Sequence, residues 1–154
     1  MFNKLLPGFL IFMSLTLSSC AKNENLFRNS KHIDTHSLAL LLEREDIEFM
    51  LVDIRESQQS IRGEIYHIDS IAITRGYLEI KLPKEIKKKD TNIVVYCCTG
   101  HRSVLAVKTL NEMGYSNVLT LDGGIKKWVD DRYPLTTTYG DLRLCDEEAE
   151  ADIK

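Results

Sequence analysis

The sequence lacks an excess of basic residues: 20 lysine and arginine residues stand against 23 aspartate and glutamate residues, for a formal net charge of −3. This balance excludes a strongly basic, nucleic-acid-binding type of protein. Long apolar runs are also missing, because the N-terminal run at residues 5–17 is too short to span a bilayer comfortably. What remains is the composition of an ordinary globule, with 44% hydrophobic and 28% charged residues in a chain of 154. That length allows one domain with a sizeable core.

One stretch organises the rest of the chain. Residues 93–96 are β-branched or aromatic and carry no charge, which predicts a buried strand. Apolar residues then recur at helical spacing, with a glycine where the helix would end: Val104, Leu105, Val107, Leu110, Met113 and Gly114. We therefore expect Cys97 at the end of a strand, Ser103 at the start of a helix, and a tight loop over residues 97–102.

This predicted loop would make Cys97 reactive. The first amides of a helix have no partner within the helix, and together with loop amides they favour negative charge. A thiol in such a place ionises more readily than a free thiol. Arg102 would add a fixed positive charge, and Gly100 would let the backbone turn without a steric clash. The pattern indicates a nucleophilic thiolate that faces an anionic or electron-rich substrate.

The run Val-Val-Tyr-Cys-Cys-Thr-Gly-His-Arg-Ser at residues 94–103 resembles the active-site loop of the rhodanese-like domain family. The resemblance implies that Cys97 takes up a sulfane sulfur and holds it as a persulfide. Related dual-specificity phosphatases carry a loop longer by one residue, so the short loop favours sulfur transfer. The residues implied to bind the substrate are Cys98, Thr99, Gly100, His101, Arg102 and Ser103.

A second segment carries the same resemblance. Residues 49–52 predict a buried parallel strand, and the following Asp-Ile-Arg-Glu is similar to the family's Asp-x-Arg-Glu signature. This implies that Asp53 and Arg55 support the site by joining the strand end to neighbouring loops. The family's Gly-His-Ile-Pro segment matches residues 64–73 only with a one-residue deletion, which places His67 on the family's histidine as further support of the site. An alternative register places Glu64 there.

Other segments complete the predicted fold. Asp34 is a plausible N-cap for a helix that carries Leu38, and residues 122–128 resemble the family's closing Gly-Gly-x-x-x-Trp segment, with Trp128 as a core anchor. The resemblance covers residues 32–136. It implies an α/β, rhodanese-like fold with a central, mostly parallel five-stranded sheet flanked by helices on both faces. Cys97 would then lie at the carboxyl end of a strand, where such sheets place their sites.

The N-terminus resembles a bacterial lipoprotein signal. The apolar run is followed by Leu-Ser-Ser-Cys at residues 17–20, which is similar to the lipobox, where the cysteine thiol receives a diacylglyceryl group. A plain signal peptide with a chance cysteine is the alternative. The resemblance implies a signal at residues 1–19, lipidation at Cys20 and a tether over residues 20–31. The protein would face the periplasm, and Ala21 after the cysteine favours the outer membrane. Residues 137–154 predict a loosely packed or disordered acidic tail.

The remaining cysteines are Cys97, Cys98 and Cys145. An odd number implies at least one free thiol, and adjacent cysteines rarely pair because a vicinal disulfide strains the peptide. Cys145 in the tail would be able to reach either of the other two. Cys98 either resolves a persulfide on Cys97 or turns away from the pocket. Many sulfurtransferases carry a basic residue at this position, so a neutral thiol weakens an assignment to thiosulfate.

The sequence thus predicts a lipid-anchored sulfurtransferase with Cys97 as its nucleophile. Its partners would be a small sulfur-donor anion, thiosulfate or persulfide, and a thiophilic acceptor, besides the membrane that holds the lipid. We expect no organic cofactor, no nucleic acid and no metal, since His32 and His36 have no further ligands nearby. The alternatives are a non-catalytic envelope protein that binds a partner through the same fold, and an arsenate reductase or phosphatase, which the loop length disfavours.

Overall fold

The computed structural model of the protein describes residues 26–29, 31–137 and 145. Five strands form one sheet in the order β1-β5-β4-β2-β3, and all four neighbouring pairs are parallel. This confirms the predicted α/β fold with a five-stranded sheet. The strands are β1 (His32–Ile33), β2 (Met50–Asp53), β3 (Ser70–Ala72), β4 (Ile93–Tyr96) and β5 (Val118–Leu121).

Helices connect the strands and cover both faces of the sheet. Asp34 caps the second helix as predicted, because its carboxylate accepts the amide of Ser37 at 2.8 Å. Within the described part of the chain, none of the helices has the length and apolar character needed to cross a membrane. The helices are α1 (Leu26–Asn29), α2 (Thr35–Leu42), α3 (Ser57–Ser60), α4 (Leu78–Glu85), α5 (His101–Glu112) and α6 (Gly124–Asp130).

The central strands β4 and β5 are buried along their whole length. Because successive side chains of a strand point to opposite faces, β4 divides its residues between two cores. Val94 and Tyr96 pack with residues of α2 and α6, whereas Val95 and Cys97 pack with residues of α4 and α5. Trp128 is buried in the first of these cores, which confirms its predicted role as an anchor. Cys97 therefore faces α5 from the end of β4.

Some predictions concern the ends of the chain. Phe27 on α1 is 3% exposed and belongs to the core, so the tether predicted for residues 20–31 does not extend over that whole range. The signal at residues 1–19 and the lipidated Cys20 lie outside the described residues. So does the predicted acidic tail, apart from residues 137 and 145.

Candidate active site

The loop between β4 and α5 is shorter than the sequence predicted. Helix α5 begins at His101 rather than at Ser103, because Gly100 turns the chain with a φ of +95°. Residues with a side chain rarely adopt this left-handed conformation. A Cβ at Gly100 would also lie 3.2 Å from the backbone nitrogen of Gly123. The loop itself comprises residues 97–100, and His101, Arg102 and Ser103 belong to the first turn of the helix.

The Cys97 sulfur lies within this turn. The amide of Gly100 donates to Sγ at 3.2 Å, and the thiol donates to the Ser103 hydroxyl at 3.7 Å. One of the amides predicted to favour negative charge is therefore directed at the sulfur, where it would stabilise a thiolate. Cys97 is only 1% exposed, however, so its thiol does not face solvent or an incoming substrate directly, contrary to the expectation from the sequence.

The side chains predicted to bind substrate divide into two groups. Three of them reach the surface at least in part: Thr99 and His101 share a hydrogen bond of 3.1 Å, and Arg102 Nη1 lies 3.8 Å from Glu56 Oε1. Cys98 and Ser103 are buried instead. The loop thus brings all the predicted residues together, but only Thr99, His101 and Arg102 offer side chains to an incoming molecule.

Cys98 forms a disulfide with Cys145, across a Cα–Cα distance of 5.9 Å. The sequence predicted that Cys145 would be able to reach Cys97 or Cys98, and it pairs with Cys98. Cys97 remains as the free thiol within the described residues. Cys98 therefore turns away from the candidate nucleophile, and while the disulfide is intact it offers no thiol to resolve a persulfide.

Helix α6 holds the loop from its other side, a contact that the sequence analysis missed. The amides of Ile125 and Lys126 donate to the carbonyl oxygens of Cys97 and Cys98, both at 3.0 Å. A peptide N–H points opposite to the carbonyl of the same planar unit. The carbonyls turned toward α6 therefore direct the amides of Cys98 and Thr99 to the other side of the loop. The glycine pair at the start of α6 was the signal, because a Cβ at Gly124 would clash with the backbone of the loop.

Asp53 and Arg55 form a buried ion pair beside the strand end. Arg55 Nη2 donates to Asp53 Oδ2 and to the carbonyl of Gly63, each at 2.6 Å. Burial lowers the pKa of Arg55, but the hydrogen bonds and charge of Asp53 outweigh it and hold the pKa above its ordinary value. The guanidinium lies 5.6 Å from the ring centre of Tyr96, the residue before Cys97. The pair thus joins the ends of β2 and β4 to the loop that follows α3.

Tyr96 is the buried residue after which the candidate loop begins. Burial raises the pKa of Tyr96 well above its ordinary value, and the charge of Asp53 acts in the same direction. Its hydroxyl accepts the amide of Ile65 at 3.4 Å. Tyr96 thus stays neutral, and its hydroxyl holds Ile65 against the end of β4.

The structure corrects the prediction that His67 supports the site. Its ring stacks on Phe49 at 4.2 Å between centroids, and its Nδ1 accepts the amide of Asp69 at 3.3 Å. Phe49 precedes β2 at the amino ends of the strands, whereas Cys97 follows β4 at the carboxyl ends. The chain has run back along the sheet toward β3 by the time it reaches His67. Glu64 lies nearer to the loop, because its neighbours contact Arg55 and Tyr96.

The histidines near α2 have other partners. His32 Nδ1 lies 2.6 Å from Asp122 Oδ1, and His36 Nδ1 lies 3.1 Å from the Tyr133 hydroxyl. Over residues 26–29, 31–137 and 145, no three His, Cys, Asp or Glu side chains are grouped so that they would hold a metal ion.

Comparison with known proteins identifies the fold and the enzyme class. A sequence model of the family described as "Rhodanese-like domain" matches residues 34–131. The chain belongs to the rhodanese-like domain family. A "Sulfurtransferase" from Allochromatium vinosum is 36% identical over 109 residues, which cover 70% of this chain and 96% of that relative. This rhodanese-like protein is accordingly an enzyme of the sulfurtransferase class, as the sequence predicted.

Solved structures agree with this assignment. A rhodanese-related protein from Thermoplasma volcanium has a TM-score of 0.59 and 29% identity, covering 70% of this chain and 98% of its own. A thiosulfate sulfurtransferase from Pseudomonas aeruginosa has a TM-score of 0.60 and 27% identity, covering 70% of this chain and 20% of its own. Both support the predicted rhodanese-like fold.

Proposed function

We propose that this rhodanese-like protein moves a sulfane sulfur from thiosulfate or a persulfide to a thiophilic acceptor, with Cys97 as the nucleophile. The observation that carries the proposal is the position of Sγ at the end of β4, where the Gly100 amide donates to it at 3.2 Å. An amide directed at sulfur favours its ionised form, which is the form that attacks. Within the described residues Cys97 is also the free thiol.

The reaction divides into two exchanges at sulfur. The Cys97 thiolate attacks the outer sulfur of the donor, a new S–S bond forms, and the bond to sulfite or to the donor thiolate breaks with its electron pair. The acceptor thiolate then attacks the outer sulfur of the Cys97 persulfide. The acceptor leaves as a persulfide and Cys97 returns as a thiolate, so no external oxidant or reductant is consumed.

Burial of Cys97 adds a requirement to this cycle. Because Sγ is covered, a donor reaches it only after a local rearrangement of residues around the loop. Thr99, His101 and Arg102 are the loop side chains that reach the surface, so we propose that the donor enters past them. Arg102 would attract an anionic donor there, with Glu56 reducing that attraction.

We further propose that the enzyme is anchored in the cell envelope through Cys20, facing the periplasm. The support is the lipobox-like Leu-Ser-Ser-Cys at residues 17–20 after a short apolar run. Acyl chains would contribute about 0.8 kcal/mol per buried CH₂, so several of them make a stable anchor. The intact mass of protein purified from its own membrane tests this. Recovery from the soluble fraction with an unmodified Cys20 would contradict it.

The sulfur-transfer part is tested with the wild-type protein and Cys97→Ser. We expect the wild type to gain the mass of one sulfur atom after exposure to thiosulfate or glutathione persulfide, and to pass that sulfur to cyanide or a thiol. Cys97→Ser should do neither, and the double variant Cys98→Ser/Cys145→Ser serves as a matched control, because it keeps the Cys97 thiol and frees no second one. Transfer that survives in Cys97→Ser would overturn the proposal. Failure of the wild type with every donor would favour a binding protein that retains the fold.

A further inference from the structure

A buried row of hydroxyl groups lies behind the Cys97 sulfur. The Thr120 hydroxyl donates to Ser103 Oγ at 2.6 Å, and the Ser103 hydroxyl donates to the Gly100 carbonyl at 2.9 Å. The Cys97 thiol donates to the same Ser103 oxygen at 3.7 Å. Cys97, Ser103 and Thr120 are all buried, so water does not replace these contacts. The row links β5 to the sulfur through the first turn of α5.

A residue with a hydroxyl group, such as Thr120, is unexpected in a buried strand that only contributes to the core. Its neighbours in β5 are Val118, Leu119 and Leu121, and the whole strand is buried. A buried hydroxyl costs free energy unless it is hydrogen-bonded, and valine would fill the same volume without that cost. The register pairs Thr120 with Val95, which sets its side chain on the α5 face, the face that also carries Cys97. Its side-chain hydroxyl donates to Ser103.

The donors and acceptors of Ser103 suggest what Thr120 does. A serine hydroxyl has one proton and two lone pairs. With Cys97 as a thiol, Ser103 accepts from Thr120 and from the thiol, and gives its proton to Gly100. Once the sulfur is ionised, that proton is able to turn to Sγ. Thr120 still donates to Ser103, and a hydroxyl that accepts a hydrogen bond becomes a stronger donor itself.

We infer that Thr120 is a positioning residue that stabilises the Cys97 thiolate through Ser103, without touching the substrate. This deepens the proposed function and rests on it, since it assigns a second support to the same nucleophile beside the Gly100 amide. Loss of the Thr120 hydroxyl should make the thiolate less favourable while the loop keeps its shape.

Two pairs of variants isolate the hydroxyl. The first pair is the wild type and Thr120→Val, which replaces the hydroxyl by a methyl group. The second pair is Thr120→Ser, which keeps a hydroxyl, and Thr120→Ala, which lacks one. The thiolate of Cys97 is followed by its ultraviolet absorbance against pH, with Cys97→Ser subtracted to remove tyrosine and any other thiol. We expect the titration midpoint to rise by about 0.5 pH unit or more in each hydroxyl-free variant relative to its partner. If valine prevents folding, the serine and alanine pair still decides the matter.

Neighbouring charges remain constant in these comparisons. His101 bonds to Thr99, Arg102 faces Glu56, Asp53 holds Arg55, and Asp122 bonds to His32. None of these residues is changed, so a difference within either pair reports the hydroxyl. Equal midpoints within both pairs would overturn the inference.

A double variant tests whether Thr120 acts through Ser103. Ser103→Ala should itself raise the midpoint, and adding Thr120→Val should then raise it no further, because the intermediary is gone. Additive shifts would contradict the stated route. These readouts need no sulfur donor. A wild type that forms no persulfide would end the proposed function. If the wild type transfers sulfur but the Thr120 variants have the same midpoints as their partners, this inference alone would end.

Discussion

Gly124 lies against the backbone of Cys97 so closely that a Cβ would come within 2.5 Å of the Cys97 carbonyl oxygen, and within 2.5 Å of that of Cys98. Its φ of +59° also belongs to the left-handed region. The first amides of α6 bond to these same carbonyls. The shape of the candidate loop therefore depends on a glycine more than twenty residues further along the chain.

We expect Gly124→Ala to lower the free energy of unfolding by about 3 kcal/mol or more, because the backbone must shift and a left-handed alanine costs about 1–2 kcal/mol by itself. Chemical denaturation measures this. Gly114→Ala is the matched control, with a φ of +92° and open space around its Cβ, so only the conformational cost should appear. Equal losses in the two variants would show that the close approach to the loop carries no energy.

The sequence predicted the position of Cys97 well because β4 is buried on both faces. Such a strand needs an uninterrupted apolar run, and the run ends at Tyr96, directly before the cysteine. The predicted start of α5 was wrong by two residues. The cause of this error is the left-handed turn at Gly100, a backbone feature that the spacing of apolar side chains does not reveal.

Other features depend on contacts between distant parts of the chain. No local pattern connects Ile125 to the carbonyl of Cys97, or Thr120 to Ser103. His67 was assigned from a segment that matched only with a deletion, and the chain there lies at the opposite end of the sheet. Strand β1 and helices α1 and α3 were not predicted, because two to four residues are too few to show a period.

The Cys98–Cys145 disulfide joins residues 47 apart in the sequence. In the chain-entropy account, a loop of this length stabilises the fold by up to about 4 kcal/mol. We expect Cys145→Ser to lower the free energy of unfolding, and a reductant to lower that of the wild type to a similar value. The reductant should leave Cys145→Ser unchanged. A wild type whose stability is the same with and without reductant would contradict a stabilising role.

The cap of α2 gives a pH-dependent prediction. Asp34 accepts the Ser37 amide and the Ser37 hydroxyl, each at 2.8 Å. These bonds, the amide first, lower the pKa of Asp34 in the folded protein. A carboxylate with a depressed folded-state pKa contributes stability above its unfolded-state pKa, and this contribution is lost as the pH falls through the folded value.

Asp34→Ala should therefore cost about 1 kcal/mol at neutral pH, and progressively less as the pH falls below about 4. Asp34→Asn keeps an N-cap without a titrating group, so it should cost little at neutral pH. Thermal or chemical unfolding at several pH values measures both variants. A cost for Asp34→Ala that is independent of pH would show that the charged form of the cap contributes nothing.

The pair of Arg102 and Glu56 bears on the choice of sulfur donor. Their closest charged atoms are 3.8 Å apart, and the side chains are 30% and 52% exposed. Glu56 thus offsets the fixed positive charge of the loop, which a doubly charged donor such as thiosulfate would otherwise feel in full. Glu56→Gln removes that negative charge, and the Glu56 backbone amide can still donate to Gln59 Oε1, as it does at 3.3 Å.

On the proposed function, Glu56→Gln should raise kcat/KM for thiosulfate about 1.4- to fivefold at low ionic strength, because an exposed ion pair is worth about 0.2–1 kcal/mol. Added salt should reduce the gain, since it screens the charges. Glu79→Gln is the matched control, because it breaks the exposed pair between Glu79 on α4 and Arg75, which precedes that helix, and leaves the loop unchanged. A gain of the same size in Glu79→Gln would assign the effect to net charge. No gain in Glu56→Gln would mean that thiosulfate does not use Arg102.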